Sequence, residues 1–329
     1  MSTFFVRRFF IAAMVFSGAF ATLPAGAQSL EKVTVRFTWK FKGEYAPLCL
    51  AVERGYFKQQ GLDVELAEGS GAQTVFKLLA SGSETFGYGP AIAAASAISA
   101  GLPLRVVALY QTSTPMGVIS FPDVPLKSPK DLEGKRLAIS VGETFSDMLA
   151  PFAKVNDIDL SKVRTIQMDG SARNAQFLQR NIDVMSVYIS NELPVLENRT
   201  NVKFNVINVA DYGLRLNGAS IITSLQVIQT KPELIKKLLA GIDKGYRDAM
   251  ADPKAAADAM TKYMKVPEVP EVLLRQVQAT MASTNAPAGK PIGWQSSDTW
   301  ASNLALLKET GAVEQPKAPE TYFTNEFLP

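Results

Sequence analysis

The sequence offers few side chains that could carry out covalent chemistry. It contains no histidine and a single cysteine, Cys49. Histidine is the usual general base near neutral pH and the commonest metal ligand, so Ser-His-Asp triads, Cys-His dyads and zinc sites are excluded. Cys49 lies in an apolar helical pattern and is interpreted as a core residue. With no P-loop or G-x-G-x-x-G turn either, we expect no catalytic residue, metal or cofactor, although catalysis by carboxylates or lysine alone stays open.

Aromatic residues near the ends of predicted strands are the first candidates for ligand binding. In open α/β sheets, ligands lie beyond the carboxyl ends of the strands and against helix N-termini. This rule selects residues 39–45, 69–71, 88–90 and 142–146. The aromatic residues at or near strand ends, which could stack on a flat heterocycle or belong to the core, are Trp39, Tyr45, Tyr88, Phe145 and Tyr188.

Small residues in the same segments are the second group of candidates. Glycines at 69 and 71 would let backbone N–H groups approach a ligand closely, and a tight strand-to-helix turn is the alternative. Thr144 and Ser146 could donate hydroxyl groups or simply cap a helix. The remaining small candidates in these segments are Ser70 and Gly89.

Strand and helix patterns alternate along the chain and place these segments. A first series has predicted strands at 33–39, 62–67, 85–88 and 104–110, and predicted helices at 46–60, 73–81 and 90–100. A second series begins after Met116 and runs to about residue 215. Beyond Gly218, an apolar β-rich run at 219–230 precedes predicted helices at 232–250, 253–264, 267–281 and 297–309. The alternation predicts parallel sheets covered by helices.

The N-terminus has the features of a secretory signal peptide. Arg7 and Arg8 precede an apolar run over 9–20, and Ala25-Gly26-Ala27 matches a small-residue cleavage site. We therefore expect residues 1–27 to be removed and the mature protein to lie in a bacterial periplasm. The paired arginines leave the general secretory route and the twin-arginine route both open.

Length and charge narrow the possible partners. At 329 residues, the chain exceeds what one hydrophobic core usually covers, so two lobes are expected. The net charge of +3 and the lack of a long basic run give no support for nucleic-acid binding.

Several phrases resemble bacterial periplasmic substrate-binding proteins of ABC importers, in the group that binds sulfonates, nitrate and thiamine-pyrimidine precursors. The phrases that carry the resemblance are Trp39 with Ala46-Pro47, the runs at 51–57 and 61–64, Ser81-Gly82 with the run at 86–89, and the run at 128–136. Gly293-Trp294 and the C-terminal run at 323–328 are similar to the thiamine-pyrimidine-precursor branch.

The resemblance implies a type II periplasmic-binding-protein fold, that is, two α/β lobes joined by two crossover strands with the C-terminal helices on the first lobe. The implied bounds are 28–115 with 218–329 for the first lobe and 116–217 for the second. A small-molecule ligand would bind in the cleft and close the lobes, and an ABC permease in the inner membrane would recognise the closed monomer.

Two residues point to different ligands within this resemblance. Glu192 lies in a stretch that resembles the pyrimidine binders, where a glutamate meets the aminopyrimidine, although it could be a first-turn helix charge. Arg173 would suit a sulfonate, nitrate or aromatic carboxylate, although it could be a solvated first-turn residue. The run at 40–45 departs from the Asn- and His-bearing phrase of the pyrimidine branch, which keeps both ligand classes open. A related pyrimidine synthase activity would need a histidine and a cysteine cluster that this chain lacks.

Overall fold

Two five-stranded sheets organise the protein, each with helices packed against it. The computed structural model describes residues 1, 29–140, 143–284 and 286–329. Residues 2–27 of the proposed signal peptide and Gly142 of the predicted 142–146 segment lie outside these residues. The strands are β1 Glu31–Phe37, β2 Leu62–Ala67, β3 Phe86–Pro90, β4 Leu104–Leu109, β5 Met116–Ser120, β6 Arg136–Ile139, β7 Arg164–Gln167, β8 Val184–Tyr188, β9 Asn205–Asn208 and β10 Ala219–Ser224.

The helices follow most of the strands and continue alone after β10. They are α1 Ala46–Glu53, α2 Tyr56–Gln59, α3 Ala72–Ala80, α4 Ala91–Ser99, α5 Thr144–Val155, α6 Gly170–Leu178, α7 Glu192–Thr200, α8 Leu225–Thr230, α9 Pro232–Ala251, α10 Pro253–Thr261, α11 Pro270–Ser283 and α12 Ser297–Glu309. No helix among the described residues is long and apolar enough to cross a membrane.

The strand orders are β2-β1-β3-β10-β4 in the first sheet and β7-β6-β8-β5-β9 in the second. The chain therefore crosses from the first sheet to the second between β4 and β5, and returns between β9 and β10. We call the first sheet with its helices the first lobe, and the second sheet with its helices the second lobe. The α/β class is confirmed, while the exact lobe bounds stay a prediction.

The expectation of purely parallel sheets is wrong at one strand of each sheet. β10 pairs antiparallel with β3 and β4, and β5 pairs antiparallel with β8 and β9. Both strands follow a crossing between the lobes. Parallel pairing of successive strands needs a crossover connection, usually a helix, within the same lobe. A strand that arrives from the other lobe has no such connection, so it can pair antiparallel.

Three predicted helix boundaries also need correction. The helix expected over 46–60 is interrupted at Gly55, which has a left-handed φ of 69° and separates α1 from α2. The β-rich run expected to reach residue 230 turns into α8 after β10. The helix expected from residue 267 begins at Pro270 instead, because the second of two prolines occupies the first turn.

The C-terminal helices pack on the first lobe through a close contact between α9 and α1. A Cβ atom added at Gly245 of α9 would lie 2.4 Å from the carbonyl oxygen of Pro47 and 2.8 Å from Cβ of Ala51. Both neighbours belong to α1, so neither can move far. Only glycine permits this approach, which fixes α1 directly behind the loop that ends at Tyr45.

We expect Gly245→Ala to lower the free energy of unfolding by about 1–3 kcal/mol, because the added methyl overpacks a rigid contact. Urea unfolding monitored by circular dichroism measures the change. Lys244→Ala is the matched control, since Lys244 is the exposed neighbour on the same helix, and its effect should stay within about 0.5 kcal/mol. Equal effects of the two substitutions would contradict the packing argument.

Candidate functional site

A cavity of about 430 Å³ lies between the two lobes, beyond the ends of the central strands. The first lobe and the crossing segments supply most of its wall, with Thr38, Trp39, Lys42, Glu44, Tyr45, Gly71, Ala72, Tyr88, Gly89, Pro90, Gln111, Thr114, Gly218 and Ala219. The second lobe supplies Tyr188, Asn191 and Glu192. Pockets that bury drug-sized ligands have volumes of about 300–1,000 Å³, so this cavity suits an organic molecule.

Tyrosine rings of the first lobe form a rigid wall. The Tyr45 ring stacks on Phe37 at a centroid distance of 4.0 Å, and the Tyr88 ring meets both edge-on. The Tyr88 hydroxyl is hydrogen-bonded to the Tyr246 hydroxyl at 2.6 Å. Burial raises the pKa of Tyr88 well above its ordinary value, so its phenol stays protonated at neutral pH. The wall is therefore fixed before any ligand arrives.

Tyr188 faces this wall from the second lobe. It lies at the end of β8 and is half-buried. Burial raises its pKa to about 12. The Lys42 ammonium lies 5.7 Å from the Tyr45 ring centroid and 5.5 Å from the Tyr188 ring centroid, between the two lobes. Lys42 therefore contacts one aromatic ring from each lobe.

Glu44 is the carboxylate on the first-lobe side of the cavity. It lies in a short 3-10 turn, Gly43–Tyr45, directly before α1. Its Oε1 is 3.1 Å from the Lys42 ammonium, and its Oε2 accepts a hydrogen bond of 2.9 Å from Nδ2 of Asn191. The charge of Lys42 is thus compensated within the cleft.

Asn191 and Gln276 join the lobes at the edge of the cavity, and we call these two residues with Glu44 the clasp. Nε2 of Gln276 in α11 donates to the backbone oxygen of Asn191 at 3.0 Å, while its Oε1 accepts from the backbone N–H of Gly43 at 3.1 Å. Oδ1 of Asn191 is buried and has no hydrogen-bond partner among the described residues. The clasp holds the second lobe to the same first-lobe turn that carries Glu44.

Glu192 is the second carboxylate of the cavity. It lies in the first turn of α7, and its Oε2 accepts from the backbone N–H of Tyr188 at 2.9 Å. Its Oε1 is 3.5 Å from Nη2 of Arg173. The side chain is one-third exposed, so Glu192 is held by its neighbours and still reaches the cavity.

Arg173 is buried behind Glu192 and does not line the cavity. Its Nη1 lies 3.4 Å from Oε1 of Glu143 and donates to Oγ of Ser186 at 3.1 Å. Ser186 in turn donates to the same Glu143 oxygen at 2.6 Å. Two carboxylates therefore share one guanidinium, and the solvated position considered for Arg173 is wrong because the side chain is only 8% exposed.

Seven of the twelve residues predicted for the site line the cavity. They are Trp39, Tyr45, Gly71, Tyr88, Gly89, Tyr188 and Glu192. The other five lie outside it, namely Ser70, Thr144, Phe145, Ser146 and Arg173. Phe145 is fully buried and packs on Phe152 at a centroid distance of 5.6 Å, because the inner face of α5 is part of the core.

The hydroxyl and glycine donors expected for a ligand have internal partners instead. Ser146 donates its hydroxyl to Glu143 at 2.5 Å and accepts from the backbone of Ser140. The N–H groups of Gly69 and Gly71 donate to the backbone oxygens of Trp39 and Thr38 at 3.3 and 2.9 Å. These bonds close the turn after β2 onto the end of β1, so the tight-turn alternative describes the two glycines better than ligand approach does.

Sequence reasoning missed several cavity residues. Gln111 and Thr114 lie on the first crossing between the lobes, and Gly218 lies on the second, directly before Ala219 at the start of β10. No local motif distinguishes a crossing segment from an ordinary loop. Asn191 could have been found, since an asparagine just before the first turn of a predicted helix is a recognisable N-cap position.

Comparison with known proteins agrees with this architecture. A family model described as NMT1/THI5 like matches residues 42–256. The riboflavin-binding protein RibY of Chloroflexus aurantiacus is 25% identical over 324 residues, covering 94% of this chain and 89% of the relative. The formylaminopyrimidine-binding protein of Halalkalibacterium halodurans is 23% identical over 332 residues, covering 99% of each.

Solved structures agree as well. The periplasmic aliphatic sulphonate binding protein SsuA from Escherichia coli superposes with a TM-score of 0.70 at 15% identity, covering 89% of this chain and 92% of that one. At this identity the likeness concerns the fold alone. The expected two-lobed periplasmic-binding-protein fold is confirmed.

Replacing Arg173 by methionine should lower the free energy of unfolding by about 3 kcal/mol, because the Glu143 and Glu192 carboxylates lose their shared cation. Urea unfolding at neutral pH measures the change. Arg164→Met is the control, since Arg164 is exposed on β7 of the same sheet and its loss should cost less than about 0.5 kcal/mol. A loss below that bound for Arg173→Met would show that the guanidinium is not needed to hold the two carboxylates.

Proposed function

Because this chain belongs to the NMT1/THI5-like family, we propose that it is the solute-binding component of an ABC importer and captures a small aromatic heterocycle between its lobes. An aminopyrimidine related to thiamine precursors is the first candidate. The relatives named for riboflavin and for a formylaminopyrimidine support a nitrogen heterocycle as the ligand class.

The charge arrangement of the cavity carries the proposal. Glu44 and Glu192 line it, whereas Arg173 lies behind Glu192 and is shared with Glu143. Lys42, the cation that reaches the cavity wall, is paired with Glu44. A carboxylate accepts hydrogen bonds and repels anions, so the cavity favours a neutral or cationic ring with N–H donors.

This arrangement disfavours the anionic alternative. A sulfonate, nitrate or aromatic carboxylate needs an uncompensated guanidinium or ammonium, usually in bidentate contact. Nitrate would also occupy a small part of 430 Å³, since one water in the liquid takes about 30 Å³. The cavity volume therefore argues against nitrate, and the paired charges argue against all three anions.

The binding role is preferred to an enzymatic one. The chain has no histidine and one cysteine, and Cys49 is buried. Burial raises the pKa of the Cys49 thiol well above its ordinary value, which makes it a poor nucleophile. A related pyrimidine synthase activity has no residues here to support it, and ligand release without turnover is the simpler function.

Partners and compartment follow from the transport role. We propose a periplasmic monomer that delivers its ligand to a permease in the inner membrane. The ligand stabilises the closed arrangement to the extent that it contacts both lobes. Trp39 on one side and Tyr188 with Glu192 on the other provide such two-sided contact.

Glu192→Gln should weaken the binding of 4-amino-5-hydroxymethyl-2-methylpyrimidine by about 10- to 100-fold, because a charge-assisted hydrogen bond becomes a neutral one. Isothermal titration calorimetry gives the dissociation constants. Glu65→Gln, at an exposed position of β2, is the charge-matched control and should leave binding unchanged. An unchanged pyrimidine affinity together with improved binding of an alkanesulfonate would favour the anionic alternative.

Gln276→Leu should weaken ligand binding by about tenfold, because it removes the clasp hydrogen bond to Asn191 and so destabilises the closed arrangement. The radius of gyration at subsaturating ligand, from small-angle scattering, should be larger than in the unmodified protein. Gln278→Leu, an exposed position on the same helix, is the control. Identical affinity and compactness in both variants would contradict a role of the clasp in closure.

A further inference from the structure

A second compartment of about 220 Å³ adjoins the main cavity. The two share the residues Trp39, Lys42, Asn191 and Glu192, which therefore form the boundary between them. A flat ring system fits the main cavity of about 430 Å³. The additional space is large enough for a short chain attached to that ring.

Trp39 at this boundary is unusually exposed for a large aromatic residue. Its exposed fraction is 56%, whereas Tyr45 and Tyr88 in the main cavity are at most 1% exposed. The ring has no aromatic neighbour among the described residues. An exposed indole in a cleft commonly marks a surface that a ligand covers.

Neutral polar and apolar groups form the rest of the second compartment, together with the Lys40 side chain. Asn174 of α6 is half-buried, and Val195 and Leu196 of α7 supply an apolar side. These groups suit a chain that has both CH and OH groups. An amide can donate to and accept from a hydroxyl.

The cations near the second compartment are already paired. Lys40 lies 3.5 Å from Glu68, and Lys42 lies 3.1 Å from Glu44. Glu192 adds a negative charge at the boundary. A phosphate or carboxylate at the end of the chain would meet no uncompensated positive charge there.

We infer that the ligand is a flat nitrogen heterocycle carrying an uncharged hydroxylated chain, with the ring in the main cavity and the chain in the second compartment against Trp39. This inference rests on the proposed function, because it assumes that the protein captures a heterocycle. It narrows the ligand class from bare rings to rings with a polyol substituent.

Four probes test the inference by calorimetric titration: 4-amino-5-hydroxymethyl-2-methylpyrimidine, lumichrome, riboflavin and riboflavin 5′-phosphate. Lumichrome has the tricyclic ring without the chain, and the 5′-phosphate adds charge at the end of the chain. Riboflavin should bind at least tenfold more tightly than each of the other three. Equal affinity for lumichrome and riboflavin, or for riboflavin and its phosphate, would overturn the inference.

Two variants locate the chain. Asn174→Leu removes the amide, and Val195→Phe fills the second compartment, while neither residue lines the main cavity. Each should lower riboflavin affinity at least tenfold and lumichrome affinity less than twofold, and the retained lumichrome binding shows that the variant is folded. Asn198→Leu, at an exposed position of α7, should change neither affinity.

The outcomes separate this inference from the proposed function. Binding of the aminopyrimidine or lumichrome, with riboflavin no tighter and both variants without effect, leaves the proposed function intact and refutes the second compartment as a chain site. Binding of none of the four probes at millimolar concentration refutes the capture of a heterocycle itself.

Discussion

The sharing of one buried guanidinium between two carboxylates sets which charges face the cleft. Arg173 lies between Glu143 and Glu192, and Ser186 completes the hydrogen bonding on the Glu143 side. A buried charge is tolerated only when it is paired and hydrogen-bonded. The pairing holds the arginine behind the cavity wall and leaves Glu192 as the member of this group that lines the cavity. A protein that binds sulphonate has the same fold, yet the cavity of this chain presents carboxylate acceptors.

The ends of three strands and the helices that follow them bring these side chains together. Tyr188 ends β8, and its backbone N–H fixes one oxygen of Glu192 at the start of α7. Glu143 caps α5 by accepting from the backbone N–H groups of Phe145 and Ser146. Both carboxylates are therefore oriented by helix starts that follow neighbouring strands of one sheet, as expected for α/β topology. Arg173, near the start of α6, reaches them from a third such position.

Sequence patterns could locate strand ends but not the partners of side chains. Tyr88 and Tyr188 were found because each ends an apolar strand pattern. For Phe145 the sequence leaves the core and the cleft both open, because one residue near a helix start can face either. For Arg173 it leaves an anion site and a solvated position open, because the two carboxylates are 30 and 19 residues away in the chain and no local spacing connects them. For Gly69 and Gly71 it leaves ligand contact and a tight turn open, and the turn onto Thr38 and Trp39, directly after β1, uses both N–H groups.

The hydrogen bonds of the clasp contribute little net free energy to the arrangement in which the lobes are in contact. Asparagine is a preferred N-cap, yet Asn191 before α7 makes no capping hydrogen bond, and its Oδ1 is buried without a described partner. The missing capping hydrogen bond costs about 1 kcal/mol, and the unpaired buried oxygen costs about 1–3 kcal/mol. The hydrogen bond from Asn191 to Glu44 contributes about 1–3 kcal/mol. The hydrogen bond from Gln276 to Asn191 contributes about 1 kcal/mol, so the gains and the costs are similar.

Ion pairs between the lobes do not change this balance much. Lys154 is largely exposed and Glu309 is partly exposed, and such surface pairs contribute about 0–1 kcal/mol. Glu197, which contacts Arg275 across the lobes, is also bound by Lys203 of its own lobe and so keeps a partner when the lobes separate. With contributions this closely matched, the binding role that we propose needs only a modest difference in ligand contact between the two arrangements to decide which one is populated.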